Sequence, residues 1–184
     1  MLHSYLNSVK KQFEYYKSLG DKTFTQLTNE QFFFQHNNQS NSVAIISKHI
    51  SGNMLSRWTN FLTEDGEKVW RNRDDEFINN FKTKNDVINY WEKGWQCLFN
   101  AINSLKETDL EKIIYIRNHG HTVVEAINRQ LCHYAYHVGQ LVYLGKLLLN
   151  EEWQSLSIPK NASKNYNAKK FSKEKTRKHF TDDL

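Results

Sequence analysis

The sequence predicts an all-α fold: a four-helix bundle with a short extended segment before the last long helix and a C-terminal arm. Three observations predict it. Four segments repeat apolar residues at three- and four-residue spacing, the pattern of helices with one buried stripe. One proline and seven glycines in 184 residues leave few of the turns that an all-β sandwich needs. A composition of 39% hydrophobic and 24% charged residues over 184 positions suits one domain with one hydrophobic core.

Each element has its own signal. In the first helix, from Leu2 to about Leu19, the residues Leu2, Leu6, Val9, Phe13 and Tyr16 mark the buried stripe, and Gly20 and Asp21 end or interrupt it. Thr28-Asn-Glu-Gln31 reads as a short capped turn, and Asn37 to Asn41 as a polar loop. A second helix begins near Asn41 or Ser42. Its apolar arc is Val43, Ile46, Ile50, Met54, Trp58 and Phe61, and it stops before Glu64-Asp65-Gly66. The charges from Arg71 and Arg73 to Asp74, Asp75 and Glu76 read as an ion-paired surface loop, with a substrate lid as the alternative.

The third helix starts at Thr83 with Asp86 in the capping-box position, and it buries Ile88, Trp91, Trp95, Leu98, Ile102 and Leu105. Lys112 to Arg117 is rich in β-branched residues and too short for a helix, so it reads as a short strand or extended link, closed by a turn at His119-Gly120-His121. Thr122 and Glu125 form a second capping box. It opens a long helix to about Asn150, with Ala126, Leu131, Tyr134, Leu141, Leu144 and Leu148 facing inward. Residues 1–159 are thus the expected bundle. Beyond Pro159 apolar content falls, and residues 160–184 read as an extended basic arm anchored by Tyr166, Phe171 and Phe180.

Charge and cysteine usage narrow the function. The net charge of +5 lies wholly in the arm, where eight Lys and Arg face three acids, while residues 1–159 hold seventeen of each. A neutral bundle with a charged tail argues against nucleic-acid binding. No apolar run reaches the roughly 18 residues of a membrane span, since Gly145 and Lys146 break the stretch from Leu141 to Leu149. The residues from Met1 to Lys17 lack the apolar centre of a signal peptide, which predicts a cytoplasmic protein. Cys97 and Cys132 have no paired spacing. They read as small buried apolar residues.

No glycine-rich phosphate loop, HExxH or GxSxG motif is present. The chemical signal is carried by eight histidines. His3, His36 and His179 fall near the termini or in a polar loop, the expected setting of surface residues. His133 and His137 are four residues apart on one face of the longest helix, where two imidazoles can converge on one ion. The same spacing also suits two histidines stacked at the edge of a core and satisfied by a carbonyl or by Tyr134. A metal needs a third donor. His49, midway along the second helix on a mixed strip with Ser42, Ile45, Ile46, Asn53, Ser56 and Asn60, is the candidate; such a strip suits either solvent or a polar cavity beside the core.

Ser-Lys-His49-Ile-Ser-Gly-Asn-Met, taken with His133-Tyr-Ala-Tyr-His137-Val-Gly-Gln-Leu, resembles the DinB/YfiT-like superfamily of four-helix bundles with a three-histidine metal site. Ser56-Arg-Trp-Thr-Asn-Phe-Leu-Thr-Glu-Asp-Gly-Glu-Lys and Trp70-Arg-Asn-Arg-Asp74 look like a largely uncharacterised branch of it. The resemblance spans nearly the whole chain and implies His49, His133 and His137 as the ligands of a divalent ion. Three nitrogen ligands leave a coordination position open, as in a catalytic site, and suit zinc, nickel or iron alike. Asn53 and Gln140, near the ligands in sequence, are expected to orient a ligand or bound water.

What the resemblance implies is metal-dependent chemistry on a small-molecule substrate. Water or a low-molecular-weight thiol is activated for attack on an electrophile, in a hydrolase or a thiol transferase. No general base is assigned, because no acid falls on the His133 face within two turns. The alternative is a stress-associated binding protein whose metal is structural or absent. A homodimer is expected as well, both from the resemblance and from an aromatic patch at Trp58, Phe61, Trp70, Phe77 and Phe81.

Overall fold

The computed structural model describes residues 2–182, with side chains from residue 5 onward. The expected placements of the Leu2 and His3 side chains and of the last two arm residues lie outside the described residues. The chain is mostly helical, with six α-helices and one two-stranded sheet among the described residues.

Helix α1 spans Leu2–Gln26 and runs straight through the stop expected at Gly20 and Asp21. The reason is tertiary. A Cβ on Gly20 would stand 2.6 Å from the Trp91 ring, and Asp21 Oδ1 accepts a hydrogen bond of 2.8 Å from Trp91 Nε1. The glycine lets an indole approach, while buried Phe24 and Leu27 extend the stripe. The short helix α2, Asn29–Phe33, carries the capping box of Thr28 and Gln31.

Helix α3, Val43–Trp58, is capped by Ser42 and is buried at every residue except Leu55. It ends before the expected point, and Asn60 turns the chain with a φ of 47°; Phe61 still reaches the core. One apolar arc was expected on this helix, but it is covered all round. Helices α4, Lys84–Ser104, and α5, Val123–Leu149, pack on it, and the segment 59–83 folds over its polar side. Lys48 Nζ donates to Asp75 Oδ2 at 2.6 Å and to the Ile78 carbonyl at 3.0 Å. Ser56 Oγ and Arg57 both bond the Gly66 carbonyl.

Helix α4 begins at the capping box of Thr83 and Asp86, as expected. Strands β1, Ile113–Ile116, and β2, His119–Thr122, form an antiparallel hairpin with Ile113 opposite Thr122 and Ile116 opposite His119. The expected extended segment is therefore β1. His119-Gly120-His121 is a strand and not a turn; Arg117 and Asn118 make the turn, with φ of 55° and 61°. Their N–H groups both donate to the Asp65 carboxylate at 2.8 Å. The capping box of Thr122 and Glu125 then opens α5.

Helix α1 contacts α4 and α5, and α3 contacts the same two. The space between them is aromatic: Phe13, Trp91, Trp95 and Tyr134 are fully buried, with ring centroids 5.3–6.5 Å apart, the tilted arrangements such rings prefer.

The expected aromatic patch is not a patch. Trp58 and Phe61 belong to the core, Phe77 and Phe81 are half-buried, and Trp70 alone of the five is exposed. Cys132 is exposed and Cys97 half-buried, against the expectation of two buried thiols.

The arm is not wholly extended, since α6 occupies Ser163–Phe171. Phe171 faces solvent and Tyr166 is exposed. Phe180 meets Tyr15 of α1 at 5.3 Å, beside an ion pair of Lys11 with Asp182. No helix among the described residues is long and apolar enough to cross a membrane.

Candidate metal centre

Helices α3 and α5 bring His49, His133 and His137 together, with one ring nitrogen of each within 4.8 Å of the others. His133 and His137 converge because four residues make little more than one helical turn. Their Nε2 atoms are 3.1 Å apart. His49 meets them edge-on, its ring 5.5 Å from His133 and 4.9 Å from His137. His49 is buried, whereas His133 and His137 are half-buried.

The second nitrogen of two rings is already committed. His49 Nδ1 lies 2.9 Å from Glu76 Oε2, and His137 Nδ1 lies 2.7 Å from Gln140 Oε1. Both partners are acceptors, so each Nδ1 carries a proton, which leaves Nε2 as the nitrogen available to an ion in the shared space.

Behind the site stands a buried charge network. Arg71 donates to both Glu76 oxygens, from Nε at 2.7 Å and from a terminal nitrogen at 2.9 Å. It also bonds Glu67 at 3.1 Å, which accepts from Arg57 at 2.9 Å. Gly52, one turn after His49, makes room for this: a Cβ there would stand 2.4 Å from Glu76 Oε1.

The electrostatics keep two imidazoles neutral. Burial, with His137, His49 and Arg57 adding to it, pushes the His133 imidazole down to about 3. Burial likewise lowers His137, against the opposing effect of the hydrogen bond it donates to Gln140. Burial works against the Glu76 charge, yet the bonds to His49 and Arg71 hold its carboxyl below the usual carboxylate range.

These residues fit a divalent ion. Two imidazole nitrogens on one tetrahedral ion stand about 3.3 Å apart, close to the 3.1 Å between His133 and His137. His49 has a ring nitrogen within 4.8 Å of both, so sharing the ion requires it to move inward. Neutral rings, fixed tautomers and a carboxylate behind one ligand are features of protein metal sites.

The chain matches, over residues 1–162, the family model described as a protein of unknown function, DUF1572. The chain belongs to the DUF1572 family. No curated protein matches it.

Of the residues singled out in this DUF1572 sequence, His49, His133, His137 and Gln140 come together. Asn53 does not join them: it is buried, and its Oδ1 accepts from Tyr134 Oη at 3.0 Å, which in turn accepts from Trp58 Nε1 at 3.1 Å. That chain of bonds ties α3 to α5 within the core. His119 and His121 lie on β2 and His36 is exposed in its loop; His179 bonds Ser8 of α1 at 3.3 Å.

Sequence reasoning missed Glu76 and Arg71, which read as a surface loop. Both side chains are buried, at 6% and 2% exposure. The lone signal in the DUF1572 chain was indirect, a glycine one turn after a histidine on a helix with no need to bend.

Proposed function

We propose that the chain is a divalent-metal-dependent enzyme of the DinB/YfiT-like superfamily, with its four long helices as the four-helix bundle of that group. The site activates water or a small thiol for attack on a small-molecule electrophile, in hydrolysis or thiol transfer. The observation that carries this reading is the convergence of three imidazoles, two with Nδ1 held by an acceptor and two reachable from solvent. A closed structural site would be completed by a fourth protein ligand. Among the described residues, no fourth His, Cys, Asp or Glu groups with the three histidines.

The residues divide the work. His49, His133 and His137 would hold zinc, nickel or iron through Nε2. Such an ion supplies Lewis acidity that brings the pKa of water or a thiol towards neutrality. Glu76 and Gln140 fix the tautomers of His49 and His137. Arg71 neutralises Glu76 and keeps it from the reacting centre, so no side-chain carboxylate serves as the base. Phe77, stacked on His49 at 4.8 Å, shields that ligand from water. The homodimer and the cytoplasmic location belong to the same reading.

The test uses metal-loaded protein with p-nitrophenyl acetate, and with cysteine plus monobromobimane. Turnover above background in either assay, lost in His133→Ala, is the expected result. A protein that binds the ion and accelerates neither reaction would support the non-catalytic alternative.

A further inference from the structure

Each histidine of the site has a neighbour on the outer rim. Over His49 lies Phe77, and the Arg73 guanidinium stands 5.1 Å from the Phe77 ring, so only two contacts, of 5.1 and 4.8 Å, separate that cation from a ligand. Beside His137 lies exposed Tyr136, ring to ring at 4.9 Å. One turn before His133 on α5 lies exposed Arg129.

The charges here do not cancel. Glu76 is matched by Arg71, Asp75 by Lys48, and Glu67 by Arg57, Arg71 and Arg117. Arg73 and Arg129 have no acidic partner among the described residues, although Asp74 adjoins one and Glu125 lies a turn from the other. Glu125 is instead held by the Thr122 cap. Three neutral ligands would also leave the charge of a divalent ion uncompensated.

We propose that the site takes a small molecule carrying an oxyanion, a carboxylate or a phosphate, which Arg73 grips beside the metal and Arg129 attracts. The inference rests on the metal reading above. A guanidinium laid on an aromatic ring is held by cation–π attraction and keeps its N–H edge free for bidentate bonding to such a group. Lysine would supply the charge without the fork.

The test loads wild type, Arg73→Gln, Arg73→Lys and Arg129→Gln with Co(II) and titrates each with succinate, inorganic phosphate and neutral succinamide. The visible cobalt spectrum reports binding, and cobalt content is measured throughout. At least one anion is expected to perturb the spectrum while succinamide does not, and the stronger anion identifies the group. Arg73→Gln should weaken that binding about tenfold or more with cobalt content unchanged, Arg73→Lys less, and Arg129→Gln a few-fold with a flatter salt dependence. Equal affinity in wild type and Arg73→Gln, or equal binding of succinate and succinamide, overturns the proposal and leaves the metal site standing. Failure of wild type to take up cobalt overturns both.

Discussion

Glu76 reaches across 27 residues of sequence to place its Oε2 2.9 Å from His49 Nδ1, while Arg71 clamps both its oxygens. A carboxylate in that position fixes which nitrogen of the imidazole is protonated and raises the basicity of the other. Glu76→Gln should therefore lower metal affinity by about 10- to 100-fold while the three ligands remain. Competition against a chromophoric chelator measures this, and an unchanged affinity would remove Glu76 from the site.

Gly52 is the space in which that carboxylate sits. Gly52→Ala would set a methyl group 2.4 Å from Glu76 Oε1, and Glu76 has little freedom to yield because His49 and Arg71 hold it. The variant should lose about 1–3 kcal/mol of stability by overpacking and bind metal more weakly. Urea unfolding and the same competition assay check both; a stability and affinity equal to wild type would show that Glu76 moves aside at no cost.

The sequence revealed the local devices well and the long-range ones poorly. The capping boxes at Thr83 and Asp86 and at Thr122 and Glu125 were readable because donor and acceptor are three residues apart. His133 and His137 were readable because one helix fixes their geometry, and His49, a candidate from its place on the second helix, was joined to them through the resemblance. Gly20 and Asp21 looked like a helix stop because their true partner, Trp91, is 70 residues away. Glu76 and Arg71 looked like surface charges because nothing local shows that segment 59–83 folds over α3. The aromatics after α3 looked like a partner surface for the same reason.

Acid should destabilise the metal-free protein. The folded pKa of His133 is depressed to about 3, so below the unfolded value near 6.5 the unfolded chain binds the proton and the folded one does not. Stability from this group is complete above that value and falls as pH drops from 6.5 towards 3, by at most about 1.4 kcal/mol per pH unit. His137 acts in the same direction. Urea midpoints between pH 7 and pH 5 test this, with His133→Gln expected to flatten the slope; a midpoint that rises on acidification would contradict it.

Removal of residues 160–184 should leave the metal site intact, since the described arm meets α1 through Phe180, His179 and Asp182 and none of its contacts involves the three histidines. Exposed ion pairs contribute little, so the unfolding midpoint should shift only slightly. Loss of cooperative unfolding in the truncated chain would place the arm within the fold.

The central claim is that His49, His133 and His137 hold one divalent ion. Elemental analysis of untagged wild-type protein, with His133→Ala and His137→Ala in parallel, tests it most directly. About one ion per chain in wild type, and almost none in either variant with helical circular dichroism retained, is the predicted result, because the helices are held together by their buried apolar residues and not by the ion. Wild type without a stoichiometric ion after exposure to zinc, nickel and iron, or variants that keep the full complement, would contradict it.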